Sequence, residues 1–162
     1  MKRPRVIPIL SIINNRLVKT TNFKKPRYIG DPINAIKIFN DKEVDEIIVL
    51  DIRASNHNSK PNYSLIEKMA SECFMPMSYG GGISTLEDAK KIFGIGVEKV
   101  VLNSICLKNK FLIEEIASLY GNQSIVASFD FKKNMWGNYN LLINGKKIKS
   151  DIKAFIKEVK LL

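Results

Sequence analysis

Residues 77–84 read Met-Ser-Tyr-Gly-Gly-Gly-Ile-Ser, and three of the nine glycines in the chain stand together here. A flexible linker would be flanked by polar sequence. This triplet follows Cys73–Tyr79, which reads as a short strand, and precedes Thr85–Phe93, which reads as a helix. Glu87 and Asp88 fall in that helix's first turn, where acids suit the dipole. Glycines between a strand and a helix N-terminus let backbone N–H groups approach an anion closely. A tight βα turn would also use glycine, so the surrounding segments must decide.

Outward from the triplet the same unit recurs. Arg5–Ile13 is an apolar, β-rich run, followed by a loop containing Lys19. Asp31 is a candidate N-cap with Pro32 in the first helical turn, and Ile33, Ile36 and Phe39 continue at helical spacing. Glu46–Ile52 reads as a second strand, and Pro61–Cys73 as a helix carrying Leu65, Ile66, Met69 and Cys73. Lys99–Asn103 is a fourth strand, Phe111–Leu119 a helix, and Ser124–Asp130 a fifth strand. Met135–Ile143 alternates and turns at Asn144-Gly145, the signature of a hairpin. Ile148–Leu162 is a last helical pattern.

Strands that read as continuous apolar runs are buried on both faces, which indicates a parallel sheet. Alternating βα units leave a doubly wound sheet or a (β/α)8 barrel. Both folds put their chemistry at the carboxyl ends of the strands. Those ends read Ser11, Asp51, Gly80 to Gly82, Asn103-Ser104 and Asp130, each an apolar run stopping on a polar residue or glycine. One such end can cap a loop; the repetition points to a shared mouth. Gly81 and Gly82, with the amide of Asn103 and the hydroxyl of Ser104 after the next strand, read as one phosphate site.

Composition narrows the function classes. The chain has 162 residues, within the range of one domain. Its 45% hydrophobic and 26% charged residues are ordinary for a globular protein. No apolar run approaches the roughly 18 residues that span a bilayer, and a cytoplasmic location is expected. Cys73 and Cys106 have no metal-ligand spacing and read as buried thiols. His57, the lone histidine, sits in the polar run 55–59 and reads as a solvated surface residue. The net charge of +10 raises nucleic acid as a partner, but the lysines are interleaved with acids and lack an aromatic-studded stripe. Nucleic-acid binding is not expected, nor is a cofactor or metal.

The segments "RVIP" (5–8), "LVK" (17–19), "GDP" (30–32), "VDEIIVLDI" (44–52), "YGGGI" (79–83), "GVEKVVLNS" (96–104) and "SFD" (128–130) together resemble the cyclase subunit of imidazole glycerol phosphate synthase. Their order and spacing hold along essentially the whole chain. The resemblance implies a (β/α)8 barrel that receives ammonia from a partner glutaminase and adds it to a phosphorylated ribulosyl intermediate. It implies an acid–base pair of aspartates ending strands one and five; Asp130 matches the second, and Ser11 stands at the first. A hydroxyl cannot act as a carboxylate base at neutral pH, and losing one member of such a pair costs on the order of 10² to 10⁴ in rate.

Residues 22–46 and 71–82 look more like cyclase-like relatives found with surface-polysaccharide genes. Those are thought to pass ammonia to a sugar amidotransferase that makes acetamidino sugars, a role in which the strand-one carboxylate is dispensable. The resemblance further assigns Arg5, Glu46 and Lys99 to an ammonia gate at the amino-terminal end of the barrel, and Glu98 to the partner-facing surface. It makes Lys19 a mobile-loop lysine for phosphorylated substrate and Asp51 a carboxylate near the mouth.

A (β/α)8 barrel takes about 250 residues. The chain is therefore expected to supply about five βα units, as a truncated product or as one part of a barrel that a second polypeptide completes. The rival readings are a working histidine-pathway cyclase that tolerates Ser11, and a non-catalytic module that docks and activates a glutaminase.

Overall fold

The computed structural model describes residues 3–21, 24–54, 59–135, 137, 139–143 and 146–147. Parallel strands β1 (Ile9–Ile13), β4 (Ile47–Asp51), β5 (Met77–Gly80), β6 (Lys99–Leu102) and β7 (Ile125–Ala127) lie side by side in chain order. Helices α1 (Pro32–Asp41), α2 (Tyr63–Ser71), α3 (Leu86–Ile95) and α5 (Lys110–Tyr120) connect them, with a short α4 (Ile105–Lys108) before α5. A doubly wound sheet would reverse its strand order partway. This one never reverses, which makes it an arc of a (β/α)8 barrel.

Local chemistry sets the helix starts. The Asp31 carboxylate accepts from Ile33 N at 2.9 Å and Asn34 N at 3.0 Å, with Pro32 at the first position. Thr85 and Asp88 form a reciprocal capping box on α3. Asp88 is buried and also accepts from Tyr63 Oη at 2.8 Å and Lys60 Nζ at 3.2 Å. Burial works against its ionised form, but this set of donors outweighs it and holds the carboxyl well below the usual range. Burial, together with this same negative charge, pushes the Tyr63 hydroxyl up to about 12.

The parallel register separates two faces. Leu10, Val49, Tyr79, Val100 and Ile125 form one row across the sheet. All but Ile125 are buried, and the row packs with Ile36, Ile66, Met69, Ile92 and Ile116 in the helix-side core. Each fully buried side chain of this size contributes about 1.5–3 kcal/mol. The opposite, inner face carries Ser11, Leu50, Gly80, Val101 and Val126 in the next row.

Two expectations are corrected. The segment after β1 is not a loop: β2 (Arg16–Thr21) and β3 (Lys24–Gly30) extend the sheet as an antiparallel meander. Asn14 and Asn15 both have positive φ, 49° and 63°, so this Asn-Asn pair makes the tight turn that reverses the chain. Lys19 therefore lies in a strand, paired with Arg27. Second, β7 ends at Ala127, and Asp130 begins β8 (Asp130–Lys133) of a separate sheet with β9 (Tyr139–Ile143) and β10 (Lys146–Lys147). The β9–β10 pairing agrees with a hairpin at residues 144–145, which themselves lie outside the described residues. So do His57 and the expected helix over 148–162.

Cys106 is buried as expected, whereas Cys73 is half-buried; both are free thiols. No helix among the described residues is long and apolar enough to cross a membrane.

Candidate functional site

A pocket of about 450 Å³ opens at the carboxyl ends of the parallel strands. Ser11 from β1 and Asp130 beyond β7 both line it. On a flat sheet the outermost of these strands would stand roughly 19 Å apart at the usual spacing. A shared pocket requires the sheet to curl, as a barrel arc does. Asp51, Gly80, Gly81, Gly82, Asn103 and Ser104 line the same space, so the sequence-derived mouth is assembled in one place. Thr20 from β2, Ser128 and Leu142 from β9 join it; none was a sequence candidate. Lys19 is exposed and is not among the lining residues. Leu17, two positions before it, is buried in the helix-side core while Thr20 faces the pocket, which puts Lys19 on the other face of β2.

Ser11 is the third residue of β1, not its last. The two carboxylates of the mouth differ. Asp51 Oδ1 accepts from Arg53 N at 3.0 Å and Ala54 N at 3.1 Å, holding the loop after β4. Asp130 Oδ2 accepts from Asn103 Nδ2 at 3.3 Å. Burial pushes the Asp130 carboxyl above its usual value, and the Asn103 amide only partly offsets this. Asp130 is thus the mouth group biased toward taking up a proton.

The three glycines have steric reasons of their own. A Cβ on Gly80 would stand 2.8 Å from Val101 Cβ in the adjacent strand. Gly81 has φ +124°, and a Cβ there would lie 2.5 Å from the Asp51 carbonyl oxygen. Gly82 has φ +73°, and its Cβ would fall inside the van der Waals surface of the Ser59 carbonyl oxygen. Gly82→Ala is expected to cost about 3 kcal/mol from positive-φ strain and overpacking together. Gly94→Ala, in an exposed helical position with open space around it, is expected to stabilise by about 0.5–1 kcal/mol. Paired thermal melts check both signs. At α3 the amides of Ser84 and Thr85 donate to Asp88 Oδ2 at 3.2 Å and 3.0 Å. The pocket wall available to an anion is therefore the backbone of Gly81–Ile83, with Asn103 and Ser104 beside it.

At the other end of the strands, Glu46 is buried and accepts from Arg5 Nη2 and Lys99 Nζ, each at 2.6 Å. Ser78 Oγ donates to it at 2.9 Å, a partner not anticipated from the sequence. Burial alone would raise the Glu46 carboxyl, but the bonds from Lys99, Ser78 and Arg5 hold it below its usual value. Arg5, Glu46 and Lys99 thus form one ionic cluster at the strand starts. Glu98 lies nearby, its carboxylate accepting from Met77 N at 2.6 Å, so it braces the start of β5.

Residues 5–161 match the model of the family described as histidine biosynthesis protein. A Pseudomonas aeruginosa protein, provisionally named a HisF-type subunit of imidazole glycerol phosphate synthase, is 57% identical over 141 residues, covering 87% of this chain and 56% of its own length. A Leptospira borgpetersenii protein of similar provisional name is 49% identical over 98% of this chain and 64% of its own. The imidazole glycerol phosphate synthase subunit HisF of Clostridium botulinum is 40% identical over 98% of this chain and 64% of its own. The chain spans 53–64% of the length of the curated relatives it matches. With the arc of parallel strands and the mouth at their carboxyl ends, these matches make the chain a HisF-like member of the histidine biosynthesis protein family.

Proposed function

We propose that the chain supplies the ammonia-receiving, phosphate-gripping part of a cyclase-like subunit in a glutamine-dependent amidotransferase, with a glutaminase as its cytoplasmic partner. One observation carries this reading: two polar sites lie at opposite ends of the same parallel strands. The Arg5–Glu46–Lys99 cluster sits at the strand starts, and the Asp130 pocket at the strand ends. Between them the inner face presents Leu50 and Val101. An apolar passage admits neutral ammonia and disfavours ammonium, because desolvating the ion costs far more. Displacing Lys99 from Glu46 would open the entry end.

At the mouth, Gly81, Gly82, Asn103 and Ser104 grip the phosphate of a small ligand, and Asp130 exchanges protons with the reacting nitrogen. Ser11 supplies a hydroxyl where a second carboxylate would complete an acid–base pair. That substitution favours ammonia delivery to a separate sugar-amidating enzyme of surface-polysaccharide synthesis over ring closure here. A working histidine-pathway cyclase is the second reading, favoured by the retention of Asp130 and its Asn103 partner. A docking module that only activates the glutaminase is the third.

The test joins the chain to its glutaminase and follows glutamine turnover, then supplies ammonium salt and the ribulosyl intermediate. Binding with stimulated glutamine hydrolysis and no imidazole product is expected. Imidazole glycerol phosphate formation would select the cyclase reading. Stimulated hydrolysis with ammonia reaching no acceptor, even with the sugar amidotransferase present, would select docking alone. Absence of binding, of stimulation and of imidazole product would reject all three.

A further inference from the structure

We propose that Asp88 is a positioning residue for the phosphate wall, holding Gly81–Ile83 in the shape that presents its backbone to an anion. The proposal rests on the phosphate-binding reading of the pocket above. A run of three glycines does not fix its own conformation, because glycine populates both signs of φ about equally. Gly81 and Gly82 nevertheless stand at φ +124° and +73°. Groups outside the triplet must therefore select that geometry.

Asp88 reaches both sides of it. A capping box needs the carboxylate only for the Thr85 amide. Here Oδ2 accepts from Thr85 N at 3.0 Å and also from Ser84 N and Ser84 Oγ, each at 3.2 Å. Ser84 directly follows Ile83, so the carboxylate pins the downstream end of the wall. Its other oxygen, Oδ1, accepts from Tyr63 Oη at 2.8 Å and Lys60 Nζ at 3.2 Å. Lys60 belongs to the segment against which Gly82 is seated: a Cβ on Gly82 would lie 3.2 Å from both the Lys60 carbonyl carbon and Ala54 Cβ. Ala54 O accepts from Ser59 N at 2.9 Å, which closes that seat. One carboxylate, 1% exposed, thus ties the exit of the glycine loop to the segment the loop rests on. Reordering a single residue's backbone on binding is enough to weaken a ligand by about tenfold. A loop held in its bound shape beforehand avoids that cost.

The test titrates ribose 5-phosphate into the full chain by calorimetry, at a temperature well below every variant's melt. Asp88→Ala is expected to bind roughly tenfold more weakly than the parent. Asp88→Asn keeps one oxygen for the Ser84 and Thr85 amides and should recover most of that loss. Thr85→Ala removes the capping hydroxyl but none of the donors to Asp88; it should melt lower and still bind within about twofold of the parent. If Asp88→Ala does not fold, Tyr63→Phe takes its place. That variant leaves the carboxylate and its cap intact, and should bind roughly threefold more weakly. Parent-like affinity in Asp88→Ala, or in Tyr63→Phe where it stands in, would overturn the positioning role and leave the phosphate reading standing. So would an Asp88→Asn loss as large as the alanine loss, which would make the charge alone responsible. A Thr85→Ala loss of the same size would reduce Asp88 to a helix cap and overturn the role as well. Failure of ribose 5-phosphate to bind the parent would overturn the phosphate reading and this role together.

Discussion

Replacing Glu46 by alanine is expected to lower the melting temperature by roughly 6–12 °C, which follows from a loss of about 3 kcal/mol at this chain length. The Glu46 side chain is 4% exposed and holds Arg5, Lys99 and Ser78. Its removal strands the Lys99 ammonium, only 26% exposed, and the buried Ser78 hydroxyl. Removing one member of a buried pair costs about 3–5 kcal/mol, and the partial access of water to Lys99 favours the lower end. Arg5 is 58% exposed, so Arg5→Ala should cost less than about 1 kcal/mol. Adding Lys99→Met to Glu46→Ala should recover part of the loss, since the unpaired charge goes with it.

The pH dependence has a definite sign. The folded carboxyl lies below its ordinary value of 4.5, so its contribution is complete above that pH and is withdrawn as the medium is acidified through the lower folded value. The gap between parent and Glu46→Ala should narrow in acid. A Glu46→Ala melt within about 2 °C of the parent at neutral pH would show that the cluster is not the clamp its geometry describes.

Asp130→Asn should separate chemistry from stability. Under the cyclase reading, ammonium-driven turnover of the ribulosyl intermediate is expected to fall by roughly 10² to 10⁴ in kcat, because an amide cannot exchange the proton a carboxyl exchanges; under the leading reading neither the parent nor the variant forms imidazole product. The fold should not weaken at neutral pH. Burial raises the Asp130 carboxyl above its ordinary 3.8, so the contribution of this group is greatest below that pH and is lost as pH rises through the folded value. Ionised Asp130 is therefore a cost at neutral pH, and the neutral amide removes it. Melts from pH 4 to 8 should show the variant gaining on the parent as pH rises. A variant that melts lower throughout would make Asp130 a structural group and not a proton carrier.

Particular residues show how far the chain could be read in advance. Asp31-Pro32, Thr85 with Asp88, and the apolar runs 47–50 and 99–102 are local signals, and each marked its helix start or strand to within a few residues. The mouth was legible because every parallel strand of an α/β fold presents its carboxyl end to the same side. The meander was not. Asn14-Asn15 reverses the chain by adopting positive φ twice, and a short polar pair gives that away only if it is weighed as a turn between two strands. Arg16–Thr21 carries too little apolar alternation to announce a strand beside a continuous loop.

The sequence by itself determined the order of the parallel strands and the helices between them, the capped helix starts and which residue types gather near the strand ends, because these depend on neighbours within a few positions. Only the tertiary structure decided that Asp51 holds its own loop while Asp130 is left to burial and one amide, that Ser78 completes the Glu46 cluster, and that Thr20 rather than Lys19 faces the pocket. Those outcomes depend on cross-strand register and on desolvation, and both arise between segments that lie far apart along the chain.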